Sequence, residues 1–111
     1  MGYSKAYREE VEEKLSAVKM ISSRAMFGGV GIYADDYFFA LIAEDKLYFK
    51  VDDTNRADYV ERESEAFHPY DSPHSMGYFE LPPGVIDDPV ELAVWVDKSL
   101  KVAQSKKKKR R

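Results

Sequence analysis

The stretch Tyr37-Phe38-Phe39-Ala40-Leu41-Ile42-Ala43-Glu44-Asp45-Lys46-Leu47-Tyr48-Phe49-Lys50-Val51 decides the fold. Its first seven residues are apolar on both faces of an extended chain, the pattern of a strand at the centre of a sheet. Glu44-Asp45 supplies a tight turn. From Lys46 the alternation is strict, with Leu47, Phe49 and Val51 inward and Lys46, Tyr48 and Lys50 outward. Upstream, Val30 and Ile32 alternate before a second turn at Asp35-Asp36, so three consecutive strands in meander are the natural reading.

The flanks read as helices. Tyr3, Tyr7, Val11, Leu15 and Val18 recur at steps of four and three, with charged residues between them and Ser4 placed to cap. After the meander, Asp52-Asp53-Thr54-Asn55 offers N-caps for a short helix through Ala57, Tyr59 and Val60, ending in the charged stretch from Glu61 to Glu65. The proline-containing segment from Phe67 to His74 has no period and predicts a loop or irregular edge. A further strand follows from Met76 to Leu81, closed by Pro82-Pro83. Asp88, Pro89 and Glu91 then form an Asp version of the capping box, opening a helix with Leu92, Val96, Ser99 and Ala103 inward. The expected fold is α+β: a mainly antiparallel sheet with N- and C-terminal helices packed on it, in the order helix, three strands, helix, strands, helix.

Composition sets the function classes. At 111 residues, 44% hydrophobic and 14% aromatic, the chain is sized for one domain with one core, expected over residues 1–105. Cysteine is absent, which removes thiolate nucleophiles, disulfides and Cys-based zinc sites and favours a reducing, cytoplasmic location. No apolar run approaches the roughly 20 residues of a membrane span, and no signal peptide is evident. The net charge of −3 is asymmetric: the last six residues carry +6, leaving −9 on residues 1–105. That tail, Lys106, Lys107, Lys108, Lys109, Arg110 and Arg111, is expected to be disordered in isolation and is a candidate phosphate-binding segment. It has no aromatic residue to read a base.

Candidate chemistry is sparse. His68 and His74, with Asp71 between them, fit neither a helical face nor a standard metal-ligand pair, and surface loop histidines are the simpler reading. The carboxylate pairs Asp35-Asp36, Asp52-Asp53 and Asp87-Asp88 each lie where a turn or helix start uses an Asx side chain, so capping accounts for them. Gly29-Val30-Gly31-Ile32-Tyr33-Ala34 matches the letters of a dinucleotide fingerprint, but strand, turn and strand follow where the phosphate site requires a helix N-terminus. Gly28 and Gly29 are instead expected to make a bend or bulge, and Gly31 to permit close approach of a backbone or ring.

The run Arg24-Ala25-Met26-Phe27-Gly28-Gly29-Val30-Gly31-Ile32-Tyr33, with Phe39-Ala40-Leu41-Ile42, the segment from Leu47 to Asp52 and the Asp87-Asp88-Pro89 helix start, resembles the N-terminal domain of the TfoX/Sxy competence regulators. The resemblance covers about residues 14–103. It implies a fold similar to secretion chaperones and a bacterial, cytoplasmic regulator acting in competence gene transcription with the cyclic-AMP receptor protein. It carries no catalytic residue, metal or cofactor. The function it implies is a non-enzymatic, regulatory protein-interaction module, with a protein partner such as the transcription machinery. Arg24, Met26, Phe27, Gly28, Gly29, Gly31, Tyr33 and Lys50 are the motif residues, read either as an interface or as strand geometry and core packing. Nucleic-acid association through the tail is the alternative, and a small enzyme or metal-binding protein using the two histidines the least supported one. A small open sheet can also pair its edges in a homodimer.

Overall fold

The structure, a computed structural model, describes residues 3–26, 28–67 and 77–106, without the side chains of Met26 and Lys106. It is the expected α+β arrangement: helix α1 (Lys5–Ser16), strands β1 (Ser22–Met26), β2 (Gly29–Ala34), β3 (Tyr37–Ala43) and β4 (Lys46–Lys50), helix α2 (Arg56–Glu61), strand β5 (Tyr78–Glu80) and helix α3 (Pro89–Lys106). The five strands form one antiparallel sheet in sequence order.

Four strands, rather than three, precede α2. The additional one, β1, runs antiparallel to β2 from Ser22 opposite Tyr33 to Met26 opposite Gly29. Its sequence, Ser-Ser-Arg-Ala-Met, carries no apolar alternation because it lies at the sheet edge. Gly28 turns the chain back with φ +79°, and Gly29 is a position of close approach: a Cβ there would collide with the Ile42 carbonyl oxygen of β3. The next two turns have the hand that matches strand twist, with positive φ at both central residues, Asp35 and Asp36 in one and Glu44 and Asp45 in the other.

The register of β2 against β3 shifts by one between Ile32 opposite Ala40 and Tyr33 opposite Phe38, so Phe39 is the extra residue of a β-bulge. The bulge lets consecutive Phe39 and Ala40 both be buried, and turns Phe38 away from them.

The core lies between the sheet and the helices. Val30, Ile32, Ile42, Phe39, Leu47 and Phe49 meet Val11 and Leu15 of α1 and Leu92, Trp95, Val96 and Leu100 of α3. Tyr3, Tyr7 and Val18 pack at its margin, as the helical spacing predicts. Ser4 Oγ accepts from the Tyr7 N–H at 3.1 Å, and the Ser4 N–H donates to Asp45 Oδ1 at 2.6 Å, tying the start of α1 to the β3–β4 turn. Asp88 caps α3, its Oδ1 accepting from the N–H groups of Val90 and Glu91. The other half of the expected capping box is replaced: the Glu91 carboxylate pairs with Arg62, just past the end of α2.

Candidate functional site

With helices on one face of the sheet, the opposite face carries the side chains that alternation directs away from the core. Register fixes which they are. Arg24 lies opposite Gly31, Gly31 opposite Leu41, Leu41 opposite Tyr48 and Tyr48 opposite Glu80; Lys50 lies opposite Tyr78. Past the bulge, Tyr33 lies opposite Phe38. Tyr33, Phe38, Leu41 and Tyr48 are half-buried, and none of them belongs to the helix-covered core.

These residues form a continuous ribbon across the sheet. The Arg24 guanidinium stands over the Tyr33 ring at 6.0 Å, Tyr33 stacks on Phe38 at 5.2 Å, and Phe38 meets Tyr78 at 5.8 Å. Lys50 closes the series: its ammonium donates to the Tyr78 hydroxyl at 3.1 Å and lies 4.7 Å from that ring's centre. On the other side of Lys50, Tyr48 packs against Phe67 at 4.8 Å. Guanidinium and ammonium groups over aromatic faces are attracted by the ring quadrupole.

Tyr78 is 3% exposed although it stands apart from the main core. Burial, with the neighbouring Tyr33 second, pushes its hydroxyl up to about 12. Tyr48 is also raised, first by burial and then by Glu80, Glu44 and Glu65. The face is therefore polarised, with cations along the Arg24–Lys50 ribbon and carboxylates around Tyr48.

The position of Lys50 is fixed from beneath. Its carbonyl accepts from Asn55 Nδ2 at 3.2 Å and from Ser99 Oγ at 2.9 Å, and both of those side chains are buried. Asn55, read from sequence as a possible cap, makes no side-chain bond to the helix it precedes; its Oδ1 instead accepts from the Asp52 N–H at 2.9 Å. Asp52 Oδ1 accepts from the Thr54 N–H at 2.8 Å. Tyr59 packs edge-on against Trp95 beside this knot, its hydroxyl raised by burial.

Of the motif residues, Arg24, Gly31, Tyr33 and Lys50 meet on the outer face, whereas Gly28 and Gly29 serve chain geometry. Phe27 lies outside the described residues, and so do His68, Asp71, His74 and residues 107–111; Lys106 is the last residue of α3. Phe38, Phe67 and Tyr78 were not singled out by the sequence. Phe38 reaches the ribbon through the bulge, and Tyr78 arrives from 40 positions downstream.

Among the described residues, no group of three or more His, Asp or Glu is placed to hold a metal. Of the carboxylate pairs, Asp52 and Asp88 accept backbone N–H groups, Asp35 and Asp36 form a turn, and Asp35, Asp53 and Asp87 pair with Lys19, Arg56 and Lys14. A cleft between α1 and the end of β5, lined by Tyr7, Val11, Leu47, Leu81, Pro83 and Ile86, holds about 200 Å³. That is below the size of ordinary small-molecule sites. No helix among the described residues is long and apolar enough to cross a membrane.

No curated protein matches the chain. The family model of the TfoX N-terminal domain matches residues 13–103, spanning α1 from its last turn, all five strands and nearly all of α3. The match includes every strand of the outer face, and the chain belongs to the TfoX N-terminal domain family.

Proposed function

We propose that the chain is a non-enzymatic regulatory module that binds another protein on the outer face of its sheet. The observation that carries this reading is the ribbon of Arg24, Tyr33, Phe38 and Lys50 built around buried Tyr78, an aromatic surface with cations at its ends that no described helix covers. Aromatic residues and arginine are the side chains that carry most binding energy in protein interfaces, because they bury large areas at low rotamer cost. The family supports a TfoX/Sxy-like domain; the partner we assign to it is a cytoplasmic protein such as the transcription machinery. The small cleft and the use of the carboxylates in turns and ion pairs weigh against a catalytic reading.

The test is affinity capture from a lysate of the cell of origin. Wild type is run beside Leu41→Glu, which charges the centre of the face, and Lys101→Glu, on the exposed side of α3. Circular dichroism verifies that each variant is folded. A protein retained by wild type and Lys101→Glu and lost from Leu41→Glu is the expected result. Equal retention by all three, or none by wild type, counts against the reading.

A further inference from the structure

The sheet's two edges are unlike. Beyond β5, the chain at residues 65–67 returns alongside: the Phe67 N–H donates to the Tyr78 carbonyl at 2.8 Å and the Glu80 N–H to the Glu65 carbonyl at 3.0 Å, with Ala66 bridged to Phe79. That edge is partly occupied. At the other edge, among the described residues, β1 pairs with β2 alone, in unbroken register over five residues. Ser22, Arg24 and Ala25 are exposed. An open strand of this kind is a template for a further strand.

Arg24 says which kind. It is the middle residue of β1, and among the described residues no carboxylate lies within 4.0 Å of it, although residues 1–105 carry a net −9. Its guanidinium stands at the rim of the aromatic ribbon. A strand added beside β1 would place every second side chain on the outer face, the middle one next to Arg24. Two copies of this chain pairing antiparallel about that residue would set guanidinium against guanidinium, which is unfavourable. A carboxylate there would gain a bidentate partner.

We propose that β1 receives an extended acidic segment of another protein as a sixth strand, with a Glu or Asp of that segment on Arg24 and its neighbours continuing the outer face. This deepens the protein-binding reading above and rests on it. Nucleic acid is the poorer occupant of this edge, because a phosphodiester backbone cannot supply the alternating N–H and C=O groups that an open strand pairs with.

The probe is a fluorescein-labelled peptide of about nine residues alternating Glu and Val, long enough to span the strand. It is compared with a Lys–Val peptide and with a Glu–Val peptide N-methylated at alternate residues, all against the full chain. Anisotropy gives affinity, and amide shifts in a nitrogen-15 spectrum give the place. The expected result is binding of the Glu–Val peptide with shifts at residues 22–26, lost on N-methylation and weakened at least about tenfold by Arg24→Glu. The basic tail attracts any acidic peptide, but that attraction survives both N-methylation and Arg24→Glu. Shifts at residues 22–26 that survive either change therefore overturn the proposal, as do equal shifts there with the Lys–Val peptide, no shifts there with the Glu–Val peptide, or a dimer formed through β1 in sedimentation. Failure here with lysate capture still dependent on Leu41 retires strand addition alone; loss of the capture result retires the outer face as well.

Discussion

Gly29 sits at the start of β2 against β3, and the space a methyl group would need is filled by the Ile42 carbonyl. The obstacle is backbone held in a ladder on both sides, since β3 also pairs with β4 at Ile42 opposite Leu47, so it cannot swing aside. Gly29→Ala should therefore cost about 2 kcal/mol or more in urea unfolding, as overpacking a closed site does. Gly28→Ala meets no atom within 4 Å and carries only the penalty of its positive φ, about 1 kcal/mol. Equal losses at the two positions would show that the β2–β3 ladder yields. Tyr78 makes a different prediction. Its hydroxyl is raised to about 12 when folded, whereas an unfolded tyrosine ionises near 10. Between those values the unfolded chain holds fewer protons than the native one, so stability is full below about pH 10 and falls as pH rises toward 12. Buried Tyr59, raised in the same direction, adds to the fall. Urea midpoints measured from pH 9 to 12 should decline, and Tyr78→Phe should flatten the decline; an unchanged slope would place the alkaline sensitivity elsewhere.

The hairpins show how elements were or were not visible in the sequence. Two turns made of acidic residues hold positive φ at all four central positions, a conformation that Asn-Gly or Asp-Gly adopts with less strain. Asp36→Gly converts the first turn to Asp-Gly and should stabilise the chain by about 0.5–1 kcal/mol in thermal or urea unfolding. Asp45→Gly should gain less or lose stability, because Asp45 Oδ1 accepts the Ser4 N–H that anchors α1. A larger gain at 45 than at 36 would show that this anchor contributes little. These turns, the central β3, the alternation of β4 and the Asp88 cap were all legible, because each is a local signal read within a few residues. β1 was not, since an edge strand exposed along Ser22, Arg24 and Ala25 has no buried period to display. The bulge at Phe39 was equally hidden: a continuous apolar run looks the same with or without a register shift. Half of the candidate site follows from that shift, since it sends Phe38 to the outer face while Phe39 enters the core.

At the scale of the whole molecule, the acidic domain and its basic terminus act on the same ligands with opposite sign. α3 passes the end of β4 at Ser99, whose hydroxyl holds the Lys50 carbonyl, and ends at Lys106 about two turns further on. The six cations of residues 106–111 thus begin about one turn past Ala103, which is still in the core, while residues 1–105 bring −9 with them. A polyanion drawn to the tail is repelled by the body behind it. Any DNA binding should then be weak and entirely electrostatic. Six cations neutralise at most six phosphates, so the slope of log affinity against log salt should not exceed about 5 in magnitude. Filter binding or anisotropy with duplexes of unrelated sequence should give the same affinity for each, and truncation after Ser105 should abolish it. A steeper slope, a preference among duplexes or binding by the truncated chain would each require a second cationic surface. Arg24 and Lys50 would be the first residues to examine, since both stand over rings of the outer face. Wild type and Arg24→Glu compared in the truncated chain would decide between that face and the tail.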